Sequence, residues 1–511
     1  MNETQQNLEL GETGADRFEA LRRKSGLILA PVAFVGILAF PMESLSSEAH
    51  RLAAVLTLVI IFWVTEALPL AVTALLGPTL AVLLRVAPVG QAFAPMANPT
   101  IFLFLGSFIL AQGLFVHRVN ERIAHSVLSW KIVGGRPGRI LIAYGLLAAF
   151  LSAWMSNTAT AAMLVPIGMS LIAFMEAEKA VPSSYGTALM LMTAYGCSIG
   201  GMATPVGTPP NLIAIGMVDN LLGIRINFID WMLIAAPVAV VLLILVLVYL
   251  TLVVGSGGAR KIAGVERIVA ERRAALGPWQ PGQRNALIAC IVTVCLWVGP
   301  GLLPLLFGRD HPVVQMVQAS LPEAVAALIG VVVLFALPVS STQRSTITWK
   351  QAAQIDWGTI LLFGGGLALG ALTDSTGLAL AMGEGITGWL PTNSVVPITF
   401  AAALFTVILS EAMSNTAAAT ITVPIVIAIA QAAGVDPVAP AVAAALAASV
   451  AIVLPVSTPP NAIVYASGRV PLTKMIKYGL VIDAVAVLIV PAMVLVLMYL
   501  RYDELTTSPR G

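Results

Sequence analysis

Apolar runs of bilayer length recur along the whole chain, and no other feature limits its folding so strongly. They fall at 25–42, 51–64, 67–85, 100–116, 187–218, 231–254, 286–307, 323–340, 357–372, 437–467 and 480–500. Two further runs, 140–175 and 395–430, are 36 residues long and carry polar centres. One helical span takes about 20 residues, and two spans with a turn take slightly over 40. Runs of 36 residues with a polar middle therefore fit helical hairpins that enter and leave on the same side. With 58% of residues hydrophobic and 10% charged, and a mean hydropathy of +0.93, a soluble core could not hide this surface. The expected fold is an all-α polytopic membrane protein with about 11 transmembrane helices and two re-entrant hairpins, because lipid tolerates only internally satisfied backbones. The expected location is the cell membrane.

Lysine and arginine orient the spans. With the amino terminus in the cytoplasm, segments 1–24, 117–139, 176–186, 256–285, 341–356 and 468–479 face inward and hold 21 of the 27 Lys and Arg residues. Arg51, Arg85, Arg225, Arg309, Arg501 and Arg510 stay outside. This is the positive-inside bias, and the odd number of spans places the carboxyl terminus outside. No cleavable signal is expected, since the first 24 residues are polar. Residues 117–139 read as a basic helix lying in the interface. The expected organisation is a cytosolic segment 1–24, a first span plus repeat over 25–255, a linker 256–285, a second repeat over 286–500 and an outer tail 501–511.

The two polar breaks are copies. "MSNTATAAMLVPI" (155–167) and "MSNTAAATITVPI" (413–425) agree at nine of thirteen positions, and "PVGTPPNLI" (205–213) matches "PVSTPPNAI" (455–463) at seven of nine. A weaker pair, "TIFLFLGSFILAQGL" (100–114) and "TILLFGGGLALGAL" (359–372), precedes them. Three ordered pairs at similar spacing indicate duplication. The charge-derived topology makes the halves inverted, an arrangement that builds a binding site at the membrane midplane.

A break in a membrane helix exposes free carbonyls at one arm and free amides at the next, which suit a cation and an anion respectively. Ser156, Asn157 and Thr158 add oxygens for a hard cation and N–H and O–H donors for a carboxylate. In TPPN, Pro209, Pro210, Pro459 and Pro460 lack amide hydrogens, so carbonyls a turn earlier should be left open to an ion. Apart from Arg469, no Lys, Arg or His lies within ten residues of these motifs. An anion there needs amide dipoles and bound cations to offset its charge, and oxygen-only sites suit Na+. The residues thus read as two Na+ sites flanking one anion site. The bland alternative is that each Ser-Asn-Thr only bonds neighbouring helices.

"SAWMSNTATAAMLVPI" followed by "GTPPN", and "SEAMSNTAAATITVPI" followed by "STPPNAIVYASG", resemble the divalent anion/Na+ symporter family, which carries di- and tricarboxylates and sulfate. The likeness runs from about residue 50 to 500. It implies a homodimer whose scaffold and transport domains work as an elevator, importing a C4 dicarboxylate such as succinate, malate or fumarate with Na+. It implies a first Na+ site at Ser152, Ser156, Asn157 and the backbone near Gly207, and a second at Ser410, the Met413 carbonyl, Asn415 and the backbone near Ser457. It places the anion against Asn157, Thr158, Thr208, Ser414, Asn415, Thr416, Thr458 and Pro459, with Thr359 near the pocket. A sulfate carrier or a Na+-independent di- or tricarboxylate exchanger of the same family stays open, as does an anion receptor that moves nothing. The absence of basic residues favours symport.

Other signals carry less. "GCSIG" (196–200) matches a nucleophile elbow, but it needs a strand-to-helix turn and a histidine partner. His50, His117, His125 and His311 lie at span ends or loops. No HExxH or Walker sequence occurs, so no enzyme, no cofactor beyond the co-transported Na+, and no nucleic-acid partner is expected. Cys197, Cys290 and Cys295 form no disulfide or CxxC pattern. Glu66, Glu411 and Asp483 read as hydrogen-bonded or ion-paired acids, with proton coupling as the functional alternative. "FGGGLALG" (363–370) reads as a close helix contact.

Overall fold

The computed structural model describes residues 14–179, 181–255, 262, 264–308, 311–387 and 394–500. The expected outer tail 501–511 and part of the expected amino-terminal segment and linker lie outside them. The described regular elements are all helical.

Eleven helical units and two hairpins stand where the apolar runs lie. These are α1 Gly14–Ala39, α2 Ser47–Thr65, α3 Leu70–Leu83 and α4 Pro99–Val116. The first hairpin is α5 Pro137–Ser152 and α6 Asn157–Ala177. A broken unit, α7 Ser184–Met202 with α8 Pro209–Leu222, leads to α9 Phe228–Tyr249. Then come α10 Pro281–Phe307, α11 Glu323–Ala336 and α12 Trp357–Ser375. The second hairpin is α13 Val395–Ala412 and α14 Asn415–Ala432. A second broken unit, α15 Val438–Ala448 with α16 Pro459–Ala466, precedes α17 Leu472–Leu500. Among the described residues nine helices are long and apolar enough to cross a membrane, three of them hairpin arms. The remaining units are shorter, broken or, in α1, more polar.

The first helix begins at Gly14, well before the apolar run at 25, because "GADRFEALRRK" forms helix without being oily. Elsewhere the broken units dominate the interior. Every residue of α7 from Tyr185 to Met202 is buried, as is every residue of α15. A helix apolar on all sides and covered on all sides is a central one.

Helices pair in a matched way across the two halves. The hairpin arm α5 packs on α7, and α13 packs on α15. Beyond each break the partners are exchanged: α8 packs on α14, and α16 on α6. Likewise α4 packs on α11, whereas α12 packs on α3. Glycine permits both crossings. A methyl at Gly106 would lie 2.6 Å from Ala327 Cβ, and one at Gly365 would overlap the Ala74 carbonyl. The glycine run 363–370 is therefore a close helix contact, as its composition suggested.

Candidate functional site

Each hairpin tip is a short non-helical gap in which a serine at the end of one arm meets the asparagine that starts the next. Ser152 Oγ lies 2.5 Å from the Asn157 amide, and Ser410 Oγ lies 2.8 Å from Asn415 Oδ1. Both serines are fully buried. The i, i+5 pairing closes each tip and sets polar atoms against the adjacent broken unit.

At the first tip, the same terminal atom of the Asn157 amide lies 3.2 Å from the Cys197 carbonyl oxygen and 3.3 Å from that of Gly207. With nitrogen there, the amide donates to both carbonyls and to Ser152. With oxygen there, four oxygens would converge around a single hydroxyl hydrogen, so nitrogen is the orientation that satisfies this tip. The backbone comes this close because side chains are absent: a methyl at Gly207 would overlap the Gly201 carbonyl, and one at Gly201 would overlap Asn157.

At the second tip, Ser410 Oγ also lies 2.8 Å from the Ala448 carbonyl. One hydroxyl hydrogen cannot serve two acceptors at once. Here, unlike at the first tip, oxygens outnumber the hydroxyl hydrogen available. The Met413 backbone is extended, with φ −151° and ψ 177°, and its side chain is buried.

The TPPN motifs behave differently from the sequence expectation. Their prolines do not interrupt a helix; they begin one, at the first positions of α8 and α16, where no helical amide partner is needed. Several carbonyls expected to be open are bonded. Asn211 Nδ2 donates to Gly201, Met202 and Thr204 carbonyls at 2.9, 3.3 and 2.7 Å. Asn461 Nδ2 donates to the Leu454 carbonyl at 2.9 Å and to Ser457 Oγ at 3.4 Å. Both asparagines leave Oδ1 buried without a partner. The closing asparagine of TPPN thus holds the broken segment in shape, a role that sequence reasoning missed and that the matched position in both halves signals.

The remaining expected residues divide. Thr208 and Thr458 are buried and precede α8 and α16 as their capping residues; Thr458 accepts from the Asn461 amide at 3.3 Å. Thr416 is buried, with its carbonyl taken by Thr420. Pro459 opens α16, and Ser457 Oγ donates to the Leu454 carbonyl at 2.6 Å. Ser414 caps α14 without a side-chain bond. Ser156 Oγ caps α6, accepting from Ala159 N at 3.1 Å. Thr158 is exposed beside it. Thr359 is bonded to Asp356 Oδ2 at 2.6 Å.

Basic residues required one correction. Arg469 forms a two-pronged contact with Glu176 at 2.8 and 2.9 Å. Arg22 of α1, however, donates to the Ala412 carbonyl at 3.2 Å and pairs with Glu66 at 3.2 Å. The second tip is therefore not free of basic side chains, although Ala412 is exposed while Ser410 and Met413 beside it are buried. Glu66 is ion-paired as expected, and Glu411 is hydrogen-bonded to backbone amides. Ser198 of "GCSIG" lies inside the buried helix α7 with an unpartnered hydroxyl, without the strand-to-helix turn that a nucleophile needs. No cluster of three or more His, Cys, Asp or Glu suited to a metal occurs among the described residues.

Comparisons with known proteins agree with this architecture. The family described as "Sodium:sulfate symporter transmembrane region" matches residues 22–501. The sodium-dependent dicarboxylate transporter SdcS of Staphylococcus saprophyticus is 32% identical over 477 residues, covering 91% of this chain and 89% of its own. An uncharacterized transporter of Haemophilus influenzae is 33% identical over 463 residues, covering 90% and 94%. The crystal structure of the Alcanivorax borkumensis YdaH transporter, described as having an unusual topology, shares the fold at a TM-score of 0.55 and 16% identity, covering 82% of this chain and 88% of that one. Matched along nearly its whole length and built from hairpin tips set against broken helices, the chain is a transporter and not an enzyme, and it belongs to the sodium:sulfate symporter family, the divalent anion/Na+ symporters.

Proposed function

We propose that the protein is a Na+-coupled secondary transporter that imports C4 dicarboxylates such as succinate, malate or fumarate. The observation that carries this is the pair of buried Ser–Asn tips, of which the second sets Asn415 Oδ1 and the Ala448 carbonyl against a single Ser410 hydroxyl hydrogen. Two Na+ ions there would bring positive charge to a place where the protein supplies amides and hydroxyls. The sodium-dependent dicarboxylate transporter SdcS, at 32% identity, supports that choice of ions and substrate. The exchanged partners of α8 and α16 support an inverted repeat, which lets each half alternately expose a central site. On this reading the hairpins and broken helices move as a transport domain against a scaffold within a homodimer, and the amino terminus lies in the cytoplasm. Arg22 and Glu66 would then tie α1 to the second tip.

Labelled succinate uptake into proteoliposomes should require an inward Na+ gradient. Equal uptake with choline in place of Na+ defeats the coupling. The family description names sulfate, so the same vesicles should be challenged with excess sulfate; full competition by sulfate and none by malate or fumarate would move the substrate to sulfate. Counterflow that persists without Na+ would make the protein an exchanger.

A further inference from the structure

The two tips are alike in their Ser–Asn pairs but not in what stands beside them. Where the first half has Ala153, one residue after Ser152, the second has Glu411, one after Ser410. The first junction is neutral: Thr204 Oγ1 donates to the Ala153 carbonyl. The second uses a carboxylate, whose Oε1 accepts from Val453 N at 2.8 Å and whose Oε2 accepts from Leu454 N at 3.1 Å. Asp483, from the middle of α17, brings its own carboxyl within hydrogen-bond reach of Glu411. It is 6% exposed, and its Oδ1 has no partner. From a third side comes Tyr195 of α7, 0% exposed, its hydroxyl unpartnered and within electrostatic reach of both acids.

Among the described residues neither acid is paired with Lys, Arg or His. Two carboxylates side by side in a buried place without a basic side chain repel unless a proton or a metal cation lies between them. Two backbone amides orient Glu411 but cannot supply a full charge. What remains on offer is a set of oxygens from α13, α17 and α7: Asp483 Oδ1, the second lone pair on each Glu411 oxygen, and Tyr195 Oη. Oxygen ligands without sulfur or imidazole select a hard cation.

We propose that Glu411, Asp483 and Tyr195 form a third cation site, taking Na+, next to the Ser410–Asn415 cluster and distinct from it. The choice of Na+ rests on the proposed Na+-coupled function; the existence of the site does not. A cation there cross-links the α13 end, α17 and, through Glu411, the segment around Val453 and Leu454 that leads to Ser457 and Thr458. Filling it would therefore stiffen the segment that faces the anion.

The test is binding of radioactive Na+ to the full-length protein in detergent, with no anion present. In an Asn157→Ala, Asn415→Ala background, saturable binding should persist at reduced capacity, and adding Asp483→Asn should abolish it. Absence of binding in the double variant, or its survival after Asp483→Asn, overturns the site. If the double variant does not elute as a folded species, Asp483→Asn alone decides: capacity must fall below wild type, and unchanged capacity overturns the proposal. A proton as the occupant would leave Na+ capacity unchanged and so also overturns it. Should the double variant bind as much Na+ as wild type, the Ser–Asn assignment fails while the acidic site stands.

Discussion

Ser410→Ala tests the second ion cradle most directly. Ser410 Oγ sits 2.8 Å from both Asn415 Oδ1 and the Ala448 carbonyl. Its one hydrogen can satisfy only one of them, so a cation entering this corner meets at least one open oxygen and finds the hydroxyl oxygen as a further ligand. The substitution removes that ligand and leaves the side chain otherwise the same size within a methyl group. Hydrogen bonds to charged groups contribute about 1.5–3 kcal/mol, so the Na+ concentration for half-maximal effect should rise roughly ten- to a hundredfold. The assay is a pair of titrations on the same preparation: thermal midpoint against NaCl at constant ionic strength, and initial succinate uptake against external Na+. Both should shift together, because a ligand that favours the folded state raises apparent stability in step with its occupancy. Thr193→Val, which removes only a local bond from Thr193 Oγ1 to the Leu189 carbonyl, should leave both curves in place. A folded Ser410→Ala protein whose half-saturating Na+ moves by less than about threefold, ~0.6 kcal/mol, would refute the cradle.

Gly365→Val should prevent assembly, since even a methyl there overlaps the Ala74 carbonyl where α12 crosses α3; overpacking of this kind costs about 1–3 kcal/mol or more, and size-exclusion of the solubilised variant reads the loss. Asn461→Leu should strip the Leu454 carbonyl and Ser457 Oγ of their shared donor, destabilise the protein by about 1–3 kcal/mol and weaken the thermal response to Na+; an unchanged melt would show that the broken segment needs no such tie. The helix Val119–Leu128 offers a pH test. Burial first, then Arg272 and Arg118, push the His125 imidazole below its ordinary value, with Glu121 opposing. The fold therefore favours neutral His125, and stability should fall as pH drops through about 6.5, where the unfolded chain takes up the proton. His125→Gln should flatten that part of the stability–pH curve.

Much of this was readable in the sequence because a membrane hairpin must announce itself. A polar Ser-Asn-Thr in an oily run marks either a break or a bond between helices, and the structure places breaks at 153–156 and 413–414. The serines that close those breaks, Ser152 and Ser410, entered only through the family resemblance. Ser156 has a part that the sequence reading did not name: it sits three residues before a free amide at a helix start and caps α6. Hydropathy missed the first turns of α1 because it measures oiliness and not helix-forming tendency. TPPN was misread in a similar way, as proline inside a span when it is proline at a helix start. Arg22 could not be read at all, since it reaches Ala412 across 390 residues of sequence, and such contacts leave no local trace.

That pattern of hits and misses follows from where each part of the site gets its geometry. Each hairpin tip is assembled by a half from itself: a serine and asparagine five residues apart, and a TPPN asparagine folded back on the segment just before it. Such local geometry survives duplication, so the sequence shows it twice. The supports come from outside the repeated motifs. Trp154, beside the first tip, stacks on Phe228 with centroids 6.3 Å apart, and Phe228 stacks on Trp297 of α10 at 4.9 Å. The second tip meets Arg22 from α1, which has no counterpart in the other half because it precedes the duplication. One tip thus leans on stacked rings and the other on a guanidinium and two acids. On the proposed function, two Na+ ions would meet equivalent Ser–Asn pairs with unlike braces, so the two tips should respond differently when each fills.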